Sequence, residues 1–151
     1  MTVGRIMSSP PLSLRPTDTV GTAAQGLVEY RFVNLPVADE SGRYLGLFGV
    51  FEMLALILPR AALEEGAVVD LGFIKEDAKA LEDRLESVRA LAVGDHINRS
   101  APVLHPETPL LEAMLELHRA RNTLAVVEEA DRRLVGMVSY WDALSALMSR
   151  R

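Results

Sequence analysis

The strongest constraint on this chain is that it is written twice. Shifting the sequence by 90 positions lays residues 4–61 over 94–151 without a gap. Identities fall at Gly4/Gly94, Leu14/Leu104, Pro16/Pro106, Ala23/Ala113, Leu27/Leu117, Arg31/Arg121, Val37/Val127, Arg43/Arg133, Gly46/Gly136 and Leu54/Leu144. Apolar residues replace apolar residues at Val20/Leu110, Leu47/Met137 and Leu58/Met148. A duplicated unit fixes the architecture before any local reading, because both copies must adopt the same topology. A unit of about 60 residues buries only about 60% of its surface when folded alone. The two copies therefore have to pack on each other, around a pseudo-two-fold axis.

Each copy predicts strand, helix, strand, strand, helix. After Pro16, Asp18 or Thr19 can cap a helix whose apolar face is Val20, Ala23, Ala24, Leu27 and Val28. Its counterpart begins near Thr108, with Pro109 in the first turn and Leu110, Ala113, Met114 and Leu117 facing inward. Short strands follow at Val33–Ala38 and Thr123–Val127, turns at Asp39–Gly42 and Glu129–Arg132, and second strands at Tyr44–Val50 and Leu134–Tyr140. Closing helices begin near Glu52 and Asp142. The fold class is α+β, divided into a first repeat over 1–60, an insert over 61–93 and a second repeat over 94–151. The insert carries eight acids against four bases. Its residues Ala78, Leu81, Leu85, Val88 and Ala92 form a narrow apolar seam at helical spacing, which fits a bracing helix or a contact with a partner chain. Phe73 and Ile74 are too apolar to be left in water and anchor the insert.

Composition removes several kinds of function. The chain has no cysteine and three histidines, so no thiolate metal site or cluster can form. A formal net charge of −5 opposes binding to a phosphate backbone, and no nucleic-acid partner is expected. The longest apolar runs, Leu45–Phe51 and Met53–Leu58, fall far short of the ~20 residues of a membrane span. The first residues lack the apolar core of a signal peptide, which makes a cytoplasmic location the expectation. No phosphate-binding loop, nucleophile elbow or His-Glu-x-x-His occurs, and nothing pairs a nucleophile with a base, so the chain is not expected to be an enzyme. His118 reads as a partly buried structural histidine and His105 as surface decoration.

One local pattern has chemistry. Gly136-Met-Val-Ser139-Tyr-Trp-Asp142 puts a hydroxyl at a strand end and a carboxylate at the next helix start. A carboxylate there accepts hydrogen bonds from a vicinal diol such as ribose, and the helix N-terminus favours an anion beside it. Ser-x-x-Asp at a helix start is equally an ordinary capping box.

Together with the duplication, Asn34-Leu-Pro-Val-Ala-Asp39-Glu-Ser-Gly42-Arg-Tyr-Leu-Gly46 and the run from Leu124 through Gly136, Ser139 and Asp142 resemble the tandem CBS (cystathionine β-synthase) domain pair. The resemblance covers all of the chain except the insert. It implies a non-catalytic regulatory sensor that forms homodimers, acts on a regulated protein partner and requires no cofactor. It also implies an adenine ligand in the cleft between repeats: AMP, ADP or ATP, with S-adenosylmethionine or a cyclic dinucleotide as further possibilities. By that resemblance Asp142 holds the ribose and Ser139 assists the phosphate. Ala101 and Val103 lie against the base, while Val33, Asn34, Thr123 and Leu124 approach the phosphates and Arg31 and Arg121 supply positive charge. The arginines are equally explained as solvated helix-end cations. The first copy departs from the pattern, with Gly49 in place of the hydroxyl and Glu52 in place of the aspartate, so a degenerate second site is expected there. The alternative function is a structural dimerisation module whose nucleotide sites have decayed.

Overall fold

The computed structural model describes residues 1–9, 12–64 and 78–150. In the first repeat, α2 (Val20–Tyr30) precedes a hairpin of β1 (Asn34–Ala38) and β2 (Tyr44–Gly49), followed by α3 (Val50–Ile57). The second repeat has α6 (Leu110–Ala120), β3 (Leu124–Val127), β4 (Leu134–Val138) and α7 (Tyr140–Met148). Short helices α1 (Val3–Ile6) and α4 (Arg60–Leu63), the insert helix α5 (Ala78–Val88) and a 3₁₀ turn at Val93–Asp95 complete the chain. The fold is the α+β pair of repeats that the duplication requires.

The leading strand of each repeat is reduced to one residue. Leu14 bridges Val37 in parallel, and Leu104 bridges Val126 likewise. Both leucines are fully or almost fully buried. Thr19 caps α2 through its hydroxyl, which accepts the Thr22 N–H at 3.1 Å. Asp18 instead accepts the Arg15 N–H at 2.8 Å, and Thr108 does the same for His105 at 2.9 Å. Pro109 stands outside α6 as its N-cap rather than in its first turn. The closing helices start at Val50 and Tyr140, earlier than the charges at Glu52 and Asp142 indicated, because those acids occupy the third helical position and reach back to the caps.

The repeats are not gapless in space. Arg31 and Arg121 end α2 and α6 in the same left-handed conformation, and Gly42 and Arg132 both turn with positive φ, at the 90-residue offset. The first strands of the hairpins, however, match at an offset of 89. Asn34 pairs with Gly49 where Thr123 would face Ser139, and Leu35 and Leu124 take the same fully buried position. The first copy therefore has one extra residue, Phe32, before its strand, and the second has one extra in its turn. The Val37/Val127 identity is thus a coincidence of sequence; Val126 is the structural partner of Val37.

The leads of the two repeats are exchanged. Val3 N–H and Gly4 N–H donate to Thr108 O and Pro106 O in the second repeat at 2.9 and 2.8 Å. Reciprocally, Val93 N–H and Gly94 N–H donate to Asp18 O and Pro16 O in the first, at 2.8 and 2.9 Å. Ser8 exchanges two backbone bonds with Met137, and Asn98 two with Leu47. Gly94 admits this close approach because a Cβ there would lie 2.8 Å from Pro16 Cβ. Consequently Val3 sits in the core of the second repeat with Leu104, Leu117, Leu124 and Val138, and Val93 in the core of the first with Leu14, Leu27, Leu35 and Phe48.

A third cluster, Tyr44, Leu47, Ala125, Val127 and Met137, lies between the sheets. The edges of β2 and β4 meet at Arg43 and Arg133, where Tyr44 N–H donates to Arg132 O and Leu134 N–H to Gly42 O, each at 2.9 Å. These two bonds interconvert under the repeat operation, which places the pseudo-two-fold axis at this arginine pair. The insert helix α5 lies along α3, and its Leu85 and Val88 pack on the first core, as a brace does. Phe73 and Ile74 lie outside the described residues. No helix among the described residues is long and apolar enough to cross a membrane.

Candidate functional site

A cleft of about 170 Å³ opens at the start of α7. Its walls come from both repeats and from the exchanged lead: Ser8 and Ser9, Asn34 to Pro36 of β1, and Thr123, Met137, Ser139 and Asp142 of the second copy. Phe32, the additional residue of the first copy, closes one side.

The carboxylate is held by a cap. Asp142 Oδ2 accepts the Ser139 N–H at 2.8 Å and the Ser139 hydroxyl at 3.1 Å, while that hydroxyl accepts the Asp142 N–H at 3.2 Å. The sequence left capping box and ligand site as alternatives. The capping box is formed, and it leaves the second carboxylate oxygen on the cleft side. Asp142 Oδ1 has one hydrogen bond, from the exposed Ser8 hydroxyl at 3.3 Å. A long hydrogen bond from an exposed hydroxyl is thus what occupies the second oxygen.

Opposite, Asn34 is 1% exposed, and its Nδ2 donates to Asn122 Oδ1 and, at 3.1 Å, to Thr123 O. Both partners are acceptors, which fixes the amide orientation. Asn34 Oδ1 has no partner. This amide ties the opening of β1 to that of β3 across the repeat boundary.

Of the residues singled out in the sequence, Asn34, Thr123, Ser139 and Asp142 come together here. Ala101 and Val103 pack beside the inter-sheet cluster that includes Met137, one wall of the cleft. Leu124 is fully buried in the second core, and Val33 is part-exposed with its carbonyl accepting the Val50 N–H; neither lines the cleft. The arginines are absent from it as well. Arg121, turned by its left-handed backbone, lines a separate apolar groove of about 460 Å³ between α6 and α7 with Met114, Leu117, Tyr140 and Leu144. His118 lines the same groove and is exposed rather than structural, and Val28 is exposed rather than on a buried face. His105 is tied down, its Nδ1 lying 2.9 Å from Val127 O. Ser8, Ser9 and Phe32 were missed because their approach depends on the exchanged lead and on the one-residue offset.

In the first copy the corresponding place beside residue 49 is occupied. Glu52 Oε1 accepts the Gly49 N–H at 2.9 Å, repeating half of the cap. A Cβ on residue 49 would lie 2.3 Å from Val33 O and 2.6 Å from Asn34 Cβ. Main chain fills the place that the Ser139 side chain takes in the second copy. Among the described residues, no cluster of His, Asp or Glu is arranged to hold a metal ion.

Comparison with known proteins agrees with this architecture. The chloroplastic CBS domain-containing protein CBSX1 of Arabidopsis thaliana is 26% identical over 137 residues, 89% of this chain, and the chain spans 58% of its length. The crystal structure of CBSX2 in complex with AMP superposes with a TM-score of 0.71 at 25% identity, covering 99% of this chain and 98% of that one. The CBS domain pair of protein MJ0100, solved with 5′-methylthioadenosine and S-adenosyl-L-methionine, shares the fold with a TM-score of 0.67 at 19% identity, over 100% of this chain and 98% of that one, a likeness of fold only. The family model of the CBS domain matches residues 3–59 and again residues 93–149, each match including the lead that docks on the other copy. The chain belongs to the CBS-domain family, as a pair of CBS repeats.

Proposed function

We propose that this chain is a non-catalytic regulatory module that binds one adenosyl ligand in the cleft at Ser139 and Asp142. The observation that carries the reading is the half-used carboxylate: Asp142 is fixed by its cap, yet keeps one oxygen on a cleft built from both repeats. A fixed carboxylate beside a cleft wall takes the two hydroxyls of a ribose with little ordering cost. The AMP complex of CBSX2 supports an adenosyl ligand. Because both repeats and a lead form the walls, occupancy biases their relative tilt, and a protein partner reads that population shift. Gly49 and its filled surroundings support one site per chain. Two copies of the chain pair through exposed apolar residues of the paired helices, chiefly Phe51, Leu54, Trp141, Leu144 and Met148, of which Trp141 is 75% exposed. A cytoplasmic location fits this role. The test is calorimetric titration with adenosine and AMP. One equivalent per chain is expected for the wild type, with loss of binding in Asp142→Ala; unchanged binding in the variant would move the site elsewhere.

A further inference from the structure

We infer that the pseudo-two-fold axis carries a site for a small inorganic oxyanion of the phosphate class, held between Arg43 and Arg133. Among the identities between the copies, the charged ones are arginines alone, Arg31/Arg121 and Arg43/Arg133. The first pair ends two helices, whereas the second is brought face to face as an antiparallel bridge. The bonds that flank the bridge, Tyr44 N–H to Arg132 O and Leu134 N–H to Gly42 O, make it a non-hydrogen-bonded pair. That is the closest side-chain approach two strands offer, about 4.5–5.5 Å between Cβ atoms. Tyr44 and Leu134 turn inward to the cluster between the sheets, so alternation turns both arginines outward, and both are exposed. Like charges directly opposite on paired strands destabilise the pairing. The fold asks only for a polar side chain at either place, and a bridging anion converts the repulsion into two attractions.

The surroundings leave both guanidinium groups available. Among the described residues neither Arg43 nor Arg133 has a salt bridge or a side-chain hydrogen bond. Two carboxylates of the adjoining turns are engaged with main chain and hydroxyl instead. Asp39 Oδ1 accepts the Ser41 N–H, the Ser41 hydroxyl and the Arg43 N–H at 2.9, 2.7 and 3.0 Å, and Asp131 Oδ1 accepts the Arg133 N–H at 3.0 Å. Glu40, Glu128 and Glu129 of the same turns form no ion pair with either arginine. Two further arginines gather nearby but are committed: Arg132 lies over the Tyr44 ring, and Arg15 donates to Asp39 O. A cavity of about 280 Å³ adjoins the pair through Gly42 and Leu134, with Arg15 in its wall. The chain's negative net charge does not cancel this local field, because exposed charges more than about 10 Å away are screened at 0.1 M salt. Paired guanidinium forks match the oxygens of a phosphate-type anion. One arginine comes from each repeat, so a bound oxyanion ties the two hairpins together across the repeat boundary. The site is separate from the cleft at Ser139 and Asp142 and does not depend on the adenosyl reading.

The experiment is thermal unfolding and ³¹P NMR of the full chain with inorganic pyrophosphate, against sodium chloride of equal ionic strength. At ten times its dissociation constant, pyrophosphate should raise Tm by about 3–6 °C over matched chloride, and its ³¹P resonance should broaden. Arg43→Gln and Arg133→Gln keep a polar, exposed side chain and should each weaken binding at least about tenfold. Without the anion, at low salt, each variant should equal or exceed the wild-type Tm, because the repulsion is gone. Pyrophosphate acting no more strongly than matched chloride overturns the inference. Undiminished binding in both variants places the anion elsewhere and overturns it too. A lower anion-free Tm in both variants would make the arginines a structural pair, with the same consequence.

Discussion

Gly49→Ser is the substitution that separates a vacant second site from a filled one. By sequence it repairs the first copy, restoring the serine that precedes the helix acid in the second. In the structure it has no room: the new Cβ lies 2.3 Å from Val33 O, 2.6 Å from Asn34 Cβ and 2.8 Å from Asn34 Cα. Ordinary contacts at a Cβ begin near 3.4 Å, so the first obstacle must retreat by about an ångström. Two of the three obstacles are main chain, and the Val33 carbonyl is committed to the Val50 N–H at 2.8 Å. Backbone strain is not the issue, since Gly49 has an extended conformation (φ −149°) that any residue adopts. Overpacking of this kind costs about 1–3 kcal/mol, and rigid obstacles put it at the upper end. At about 2–4 °C per kcal/mol for a chain of this length, Tm should fall by about 6–12 °C. Ser139→Gly makes the reciprocal change and should cost only a few tenths of a kcal/mol, because glycine is a tolerable N-cap. Chemical denaturation gives both stabilities, and calorimetry gives the stoichiometry. A Gly49→Ser chain with wild-type stability and a second equivalent of bound ligand would refute the reasoning.

Asp142→Ala removes a charge-assisted pair of hydrogen bonds to the ligand diol and should weaken binding by about 2–4 kcal/mol, roughly 30- to 1000-fold, measured by titration. Val3→Ala and Val93→Ala each empty a fully buried position in the opposite repeat; both should cost about 2 kcal/mol in urea unfolding, with equal m-values. Tyr44 is 2% exposed, its hydroxyl has no partner, and burial raises its ionisation above the usual tyrosine range despite the Arg132 guanidinium 5.9 Å from the ring. The unfolded chain therefore loses this proton first, so stability is full below about pH 10 and declines as pH rises beyond it. Tyr44→Phe should abolish that part of the alkaline decline and leave neutral-pH stability equal or about 1 kcal/mol higher, read from Tm against pH. Trp141→Asp should shift the chain toward monomer in light scattering after size exclusion, without changing the far-ultraviolet dichroism.

The duplication was legible because each copy repeats its punctuation. Pro16 and Pro106, Gly4 and Gly94, and the left-handed Arg31 and Arg121 all keep the 90-residue offset. Helix starts were read late because charge marks the third position of the helix, whereas the cap at Ser139 or Gly49 sets its beginning. The gapless alignment failed at β3, where the unbroken apolar run Leu124–Val127 masks a slip of one. Within the candidate site, Ser139 and Asp142 were readable from their places at a strand end and a helix start, and Asn34 and Thr123 through the family resemblance. Ser8 and Phe32 were not, since nothing local to either residue tells that the start of the chain crosses to β4. Arg31 and Arg121 looked close in sequence, but a left-handed residue redirects the chain, and Arg121 ends on the far side of its helix.

The crossing of the leads also bears on how such a chain could arise and come apart. Each repeat carries a plug for the other and a socket it cannot fill itself. A lone repeat would meet both needs by embracing a second lone repeat, so fusion of the two turns an encounter between molecules into a tether. Separate expression of 1–64 and 78–151 should then give fragments that are poorly ordered singly and reassemble when mixed.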